Sequence, residues 1–241
     1  MSGAHIANDF DAELQQIERL LVEMGGLVER QIFDATAALH ARDTEWANQI
    51  VLGDRTIDEL ENNVDEKIIR LIGLRQARPE DLRFTISALK VSSSLERLGD
   101  YAKNMAKRTL VVSQSPPVGS ITLTLKRMSE LVSEMLKDAL DAYVKRDVEL
   151  ADAVRSRDES VDQLYNSQFR ELLTHMMESP KTITPGMHLH FIAKNLERMG
   201  DHITGIAEQV HFMVKGVMPD DERPKSDNTA YEAMKLSGEN D

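Results

Sequence analysis

The chain contains no cysteine, so neither a disulfide framework nor a thiolate-ligated zinc or iron–sulfur site is open to it. Aromatic residues make up only 5%, few for the cross-strand packing on which an all-β protein depends. No run of about 20 apolar residues occurs, so no segment is expected to span a bilayer. Residues 1–14 lack a basic stretch followed by an apolar one and carry Asp9, Asp11 and Glu13, unlike a signal peptide; cytoplasmic residence is the expectation. Positive charge is also scarce: 29 Lys and Arg stand against 41 Asp and Glu, a net −12. That balance disfavours a nucleic-acid backbone or an anionic lipid surface as a direct partner and suits cations or basic protein surfaces. What is present is 241 residues, 41% of them hydrophobic, ample for a sizeable core.

Proline is sparse as well. Its seven positions (79, 116, 117, 180, 185, 219 and 224) leave long stretches in which apolar residues recur with the helical period. The pattern predicts six helices, at about 8–41, 44–76, 80–113, 120–146, 148–178 and 185–215. Asp43 and Asp147 are placed to cap the second and fifth. Pro79 with Glu80 and Asp81 suits a first turn, because proline fits the first helical position and acids the positive end of the dipole; Pro185 suits the same role in the last helix. Two core seams read cleanly: Ala88, Val91, Leu95, Leu98, Ala102 and Met105, and then Leu189, Ile192, Leu196, Met199, Ile203, Ile206, Val210 and Met213. The many methionines read as core filler rather than a methionine metal site, and Trp46 as a buried or interface anchor near the first inter-helix turn. Arg42, Lys145 and Arg146 read as partners of helix dipoles.

The chain also repeats itself. Arg42-Asp43 returns as Arg146-Asp147, and Asp54-x-x-x-Asp58-x-Leu60-x-Asn62 as Asp158-x-x-x-Asp162-x-Leu164-x-Asn166, a spacing of 104 (54 to 158). Leu95-Glu96-Arg97-Leu98-Gly99-Asp100 returns as Leu196-Glu197-Arg198-Met199-Gly200-Asp201, a spacing of 101 (96 to 197). The expected fold is therefore all-α: two tandem antiparallel three-helix bundles, 1–115 and 119–216, followed by a polar C-terminal tail, 217–241, with a short helix about 229–236.

Each repeat carries two acidic pairs at i, i+4, which lie on one helix face one turn apart: Asp54 with Asp58, Glu96 with Asp100, Asp158 with Asp162, and Glu197 with Asp201. Like charges at that spacing cost about 0.2–0.5 kcal/mol per pair, and a bound cation would offset them. Gly99 and Gly200 precede the second carboxylate of their helices, at about 1 kcal/mol each relative to alanine in mid-helix, and leave room for close approach. If the second and third helices of a repeat pack together, their pairs face each other as an oxygen-only cluster. Such donors suit hard cations: Mg²⁺, Mn²⁺ or iron above all, with zinc possible although it prefers His or Cys.

The duplicated three-helix unit with its paired ERxGD and DxxxD motifs resembles the PhoU family over about residues 5–216, and Phe10-Asp11-Ala12-Glu13-Leu14 and Met24-Gly25-Gly26 are similar to the family too. The resemblance implies a cytoplasmic, non-enzymatic regulator that represses phosphate-starvation genes and restrains phosphate uptake. It implies two partners, the ATPase subunit of a phosphate ABC transporter and a sensor histidine kinase, contact with the inner membrane only through them, and a homodimer. It further implies metal at Asp54, Asp58, Glu96 and Asp100 in the first repeat and at Asp158, Asp162, Glu197 and Asp201 in the second. Tyr165 and Phe169 replace Glu61 and Asp65, and Gly205 replaces Asn104, so weaker metal binding is expected in the second repeat.

Two other classes stand beside this. One is a metal-dependent phosphohydrolase that activates water on a carboxylate-held metal, for which only Arg97 and Arg198 lie close enough to grip phosphate. The other is a structural bundle whose acids are mere surface. Histidines at 5, 40, 175, 188, 190, 202 and 211 form no HExxH, and no ExxH recurs in both halves, which disfavours a di-iron oxidase. No GxGxxG, GxxxxGK[ST] or GxSxG occurs.

Overall fold

A computed structural model describes residues 2–74 and 79–220. Its helices are α1 (Ser2–Ala41), α2 (Thr44–Gly53), α3 (Arg55–Leu74), α4 (Pro79–Val112), α5 (Ile121–Lys145), α6 (Val148–Glu178) and α7 (Ile183–Lys215), with a single 3₁₀ turn at Pro180–Thr182. No strand occurs among the described residues. The expected short helix at 229–236 lies outside them.

The turns between helices follow from their sequences. The Asp43 side chain accepts from the Trp46 backbone N–H at 2.9 Å, and Asp147 does the same for Leu150 at 3.0 Å. Before each aspartate stands an arginine in the left-handed region, Arg42 at φ 58° and Arg146 at φ 57°. The Asp43 N–H reaches back to the Ala38 carbonyl at 2.9 Å and the Asp147 N–H to Ala142 at 3.0 Å. Both are Schellman closures with arginine where glycine is usual. Each guanidinium has a task that glycine could not perform. Arg42 donates to the carbonyls of Val112, Ser113 and Ser115 at the end of α4. Arg146 donates to the Tyr143 carbonyl and pairs with Glu18 at 2.9 Å. α4 begins on Pro79, with Glu80 and Asp81 in its first turn.

One expected helix is two. The stretch expected at 44–76 breaks at Asp54, between α2 and α3, whereas its counterpart α6 runs through Asp158 without interruption. The cause is local composition together with tertiary pull. Gly53 stands where the second repeat has Arg157, and the Asp54 carboxylate is drawn inward by Gln31 of α1 and Lys103 of α4.

Each repeat folds as up, down, up: α1, α2–α3 and α4 pack together, as do α5, α6 and α7. The repeats also pack on each other, α1 against α5 and α4 against α7, so four long helices form the middle of the molecule and α2–α3 and α6 flank it. Thr36 Oγ1 donates to Ser129 Oγ at 2.8 Å, while a Cβ on Gly25 would stand 2.2 Å from Leu140 Cδ1. Under the repeat spacing of 104, Thr36 maps to Leu140 and Gly25 to Ser129. The two contacts are therefore images of each other, which is the signature of a local two-fold axis.

The buried apolar residues form one continuous cluster that draws on every helix from α1 to α7. The seam residues of α4 are 0–1% exposed, as are those of α7 from Leu189 to Val210, and Met213 packs at the margin. Met24, Met105, Met128, Met135 and Met199 are core filler, and Trp46 packs against the cluster beside the α1–α2 turn. At about 1.5–3 kcal/mol for each fully buried Leu, Ile, Val or Met, this cluster is what holds the repeats together.

Candidate functional site

Asp54, at the α2–α3 break, is 3% exposed. One carboxylate oxygen accepts from Gln31 Nε2 at 3.1 Å and the other from Lys103 Nζ at 2.5 Å. The same ammonium reaches Asp100 Oδ1 at 2.8 Å. Lys103 therefore bridges the second and third helical stretches of the first repeat. Its pKa is raised by those two hydrogen bonds.

Around this bridge the other acids crowd. Asp58 is shifted upward by burial and then by the Asp54 charge. Glu61 is shifted upward by burial and then by Asp65, and burial raises Asp65 too. Glu96 rises furthest, to about 7, through burial first and then the charges of Asp100 and Glu61. Asp100 goes the other way. Burial works against its charge, but hydrogen bonds from Lys103 and Glu96 outweigh it. The two carboxyls therefore share a proton below about pH 7, with Glu96 the one that holds it. Arg97, largely exposed, lies 3.8 Å from Glu96 and 4.0 Å from Asp100. The structure brings all four expected residues of the first repeat into one acidic seam along α3 and α4.

In the second repeat, Asp158 and Asp162 on α6 and Glu197 on α7 are buried, and Asp201 is half-buried. Gly200 is what lets the two helices meet: a Cβ there would stand 2.4 Å from Asp158 Oδ1. At Gly99 the nearest atoms are Ile57 Cδ1 at 3.0 Å and Gln31 Oε1 at 3.3 Å. Lys194 Nζ lies 2.9 Å from Glu197 Oε1 and 4.9 Å from the centre of the Tyr165 ring, so the aromatic that replaces Glu61 faces a cation. Thr204 stands at the position of Lys103, and its hydroxyl donates to the Asp201 backbone carbonyl at 2.7 Å.

The seams meet near the local axis. Tyr101 follows Asp100, His202 follows Asp201, and the two side chains touch, 3.4 Å from Oη to Nε2. His202 is held below its ordinary pKa by burial, against the pull of Asp201, with Arg97 of the other repeat adding to the shift. It packs between α4 and α7 against Tyr101.

The donor chemistry is oxygen only, yet the geometry is not that of a coordination sphere. Among the described residues no group of three or more His, Asp or Glu is arranged to hold a metal ion. In the first seam, Lys103 lies between the two carboxylates that would have to converge. Three residues of this arrangement were not singled out from the sequence. Lys103 and Lys194 carry a signal, a spacing of three from Asp100 and from Glu197 on the same helix. Gln31 carries none, since it comes from a helix outside the repeated motifs.

The PhoU domain pattern matches residues 21–109 and again 125–210. The chain belongs to the PhoU family. It is 46% identical to the phosphate-specific transport system accessory protein PhoU homolog of Caulobacter vibrioides over 92% of this chain and 97% of that one. To the protein of the same name in Rhizobium meliloti it is 44% identical, over 95% and 97%. The crystal structure of PhoU from Pseudomonas aeruginosa superposes with a TM-score of 0.83 at 37% identity, over 86% of this chain and all of that one. The phosphate transport system regulatory protein PhoU from Streptococcus pneumoniae gives 0.81 at 30% identity, over 88% and 100%. The tandem all-α architecture of this PhoU chain is thus that of its solved relatives.

Proposed function

We propose that this PhoU protein is a regulatory accessory of a phosphate transport system, acting by protein contact and not by turnover. The observation that carries it is the near full-length likeness to relatives named as accessory and regulatory proteins of phosphate transport. In finer terms, it links the ATPase subunit of a phosphate ABC transporter to a sensor histidine kinase, restrains uptake and represses the starvation response. It works in the cytoplasm as a homodimer, and meets the inner membrane through those partners.

Two features support contact over catalysis. The charge balance, a net −12, suits a basic protein surface as partner. The ammonium in the first seam, Lys103, is engaged by Asp54 and Asp100. A phosphohydrolase would need such groups turned toward a phosphoryl oxygen.

The test is an affinity capture from phosphate-replete cells with membranes included. Recovery of the transporter ATPase subunit and of a sensor kinase is expected. Capture of neither, together with release of phosphate from ester substrates by the metal-supplemented protein, would overturn the proposal in favour of an enzyme.

A further inference from the structure

We infer that the cation of the first acidic seam is the Lys103 ammonium, which keeps metal out of that repeat. Both oxygens of the buried Asp54 carboxylate already accept hydrogen bonds, from Gln31 and from Lys103, and the bond from Lys103 is 2.5 Å long. The same ammonium holds Asp100 at 2.8 Å. A Mg²⁺ or Mn²⁺ ion would have to take lone pairs from these same two carboxylates, which come from facing helices. It would also have to approach the Lys103 positive charge at a half-buried site.

Tethering favours the ammonium. Lys103 is carried on α4, one turn from Asp100, so its effective concentration at the seam far exceeds that of a free ion. Its contact with Asp54 also pins the α2–α3 break, so displacing it would release a structural tie as well as a charge. The repeats differ at this position, because Thr204 turns its hydroxyl to the backbone of Asp201. The second repeat has a cation of its own, Lys194 on Glu197 at 2.9 Å, but at a different position, so the repeats differ in which carboxylates an ammonium takes.

The experiment counts Mn²⁺ bound to the full chain, by equilibrium dialysis with metal analysis and by the loss of the free-ion spin-resonance signal. Wild type is compared with Lys103→Thr, which installs the second repeat's residue. The variant should bind about one further Mn²⁺ per chain, and its melting temperature, lowered in chelator, should rise again with Mn²⁺. The double variant Lys103→Thr/Asp54→Asn should lose that extra ion. A folded Lys103→Thr protein with no extra ion would overturn the inference. A second arm works if that variant does not fold. Asp100→Asn in the otherwise unaltered chain should leave the Mn²⁺ count unchanged, and a fall in the count would mean that metal enters the first seam despite Lys103.

Discussion

Tyr101 and His202 occupy the same position in the two repeats and touch each other, with ring centres 5.7 Å apart. Equivalent residues meet in this way only at a two-fold axis, and this one passes between α4 and α7. The pair closes the middle of the molecule, with Asp100 and Asp201 one residue away on either side. A double-mutant cycle with Tyr101→Leu and His202→Leu should return a coupling energy of about 0.5–1.5 kcal/mol in urea denaturation, the range for aromatic ring pairs. Strict additivity would mean that the contact does not join the repeats energetically.

The two repeated glycines should respond differently to alanine. Helix propensity favours the change by about 1 kcal/mol at either position. At Gly200 the new methyl would press on the buried Asp158 carboxylate at 2.4 Å, so Gly200→Ala should destabilise by about 2 kcal/mol net. At Gly99 the closest neighbour is the end of the Ile57 side chain at 3.0 Å, so strain and propensity should nearly cancel, leaving a change within about 1 kcal/mol. Chemical denaturation of both variants checks the order, and equal losses would refute the geometry.

Arg42 combines a left-handed backbone with a guanidinium that caps α4. Alanine keeps the backbone strain and loses the cap, whereas glycine loses the cap and relieves the strain. Arg42→Ala should therefore be less stable than Arg42→Gly by about 1 kcal/mol. Thermal unfolding of the two variants measures the difference, and the reverse order would show that the left-handed turn carries no strain.

Acid should stabilise the metal-free protein over a defined window. Glu96 titrates near 7 in the fold and at its ordinary 4.5 when unfolded, so between those values the folded state holds a proton that the unfolded state has lost. Its contribution to stability falls as pH rises through that interval, while the depressed His202 acts oppositely below its ordinary 6.5. The depressed Asp100 acts oppositely, but only at and below the ordinary carboxylate range. Glu96→Gln should flatten the slope between about pH 5 and about pH 7 and be more stable than wild type at about pH 8, read from urea midpoints in chelator. An unchanged slope in Glu96→Gln would locate the titrating group elsewhere.

Much of this was legible in the sequence because its causes are local. Helix period placed the seams of α4 and α7, Pro79 and the two aspartates placed three helix starts, and the repeated motifs paired the carboxylates; Pro185 did not mark a start, because α7 begins at Ile183 after the 3₁₀ turn. The break at Asp54 was not legible, because Gln31 and Lys103 pull on that carboxylate from helices far along the chain. Lys103 has a readable spacing to Asp100, but its reach to Asp54 exists only once α3 and α4 are packed. The pairing of α1 with α5 was hidden for the same reason. Gly25 and Thr36 look unremarkable until Leu140 and Ser129 are laid against them.

The single apolar cluster has a consequence for how the chain can be divided. Sequence repetition suggests two units separable in the stretch 113–120, yet α1 and α4 would each lose an apolar partner by the cut. Each half would be a bundle with one raw flank, prone to self-association by itself. Supplied together, the halves are each other's missing wall, and two polypeptides co-expressed from split genes should find one another and rebuild the intact molecule.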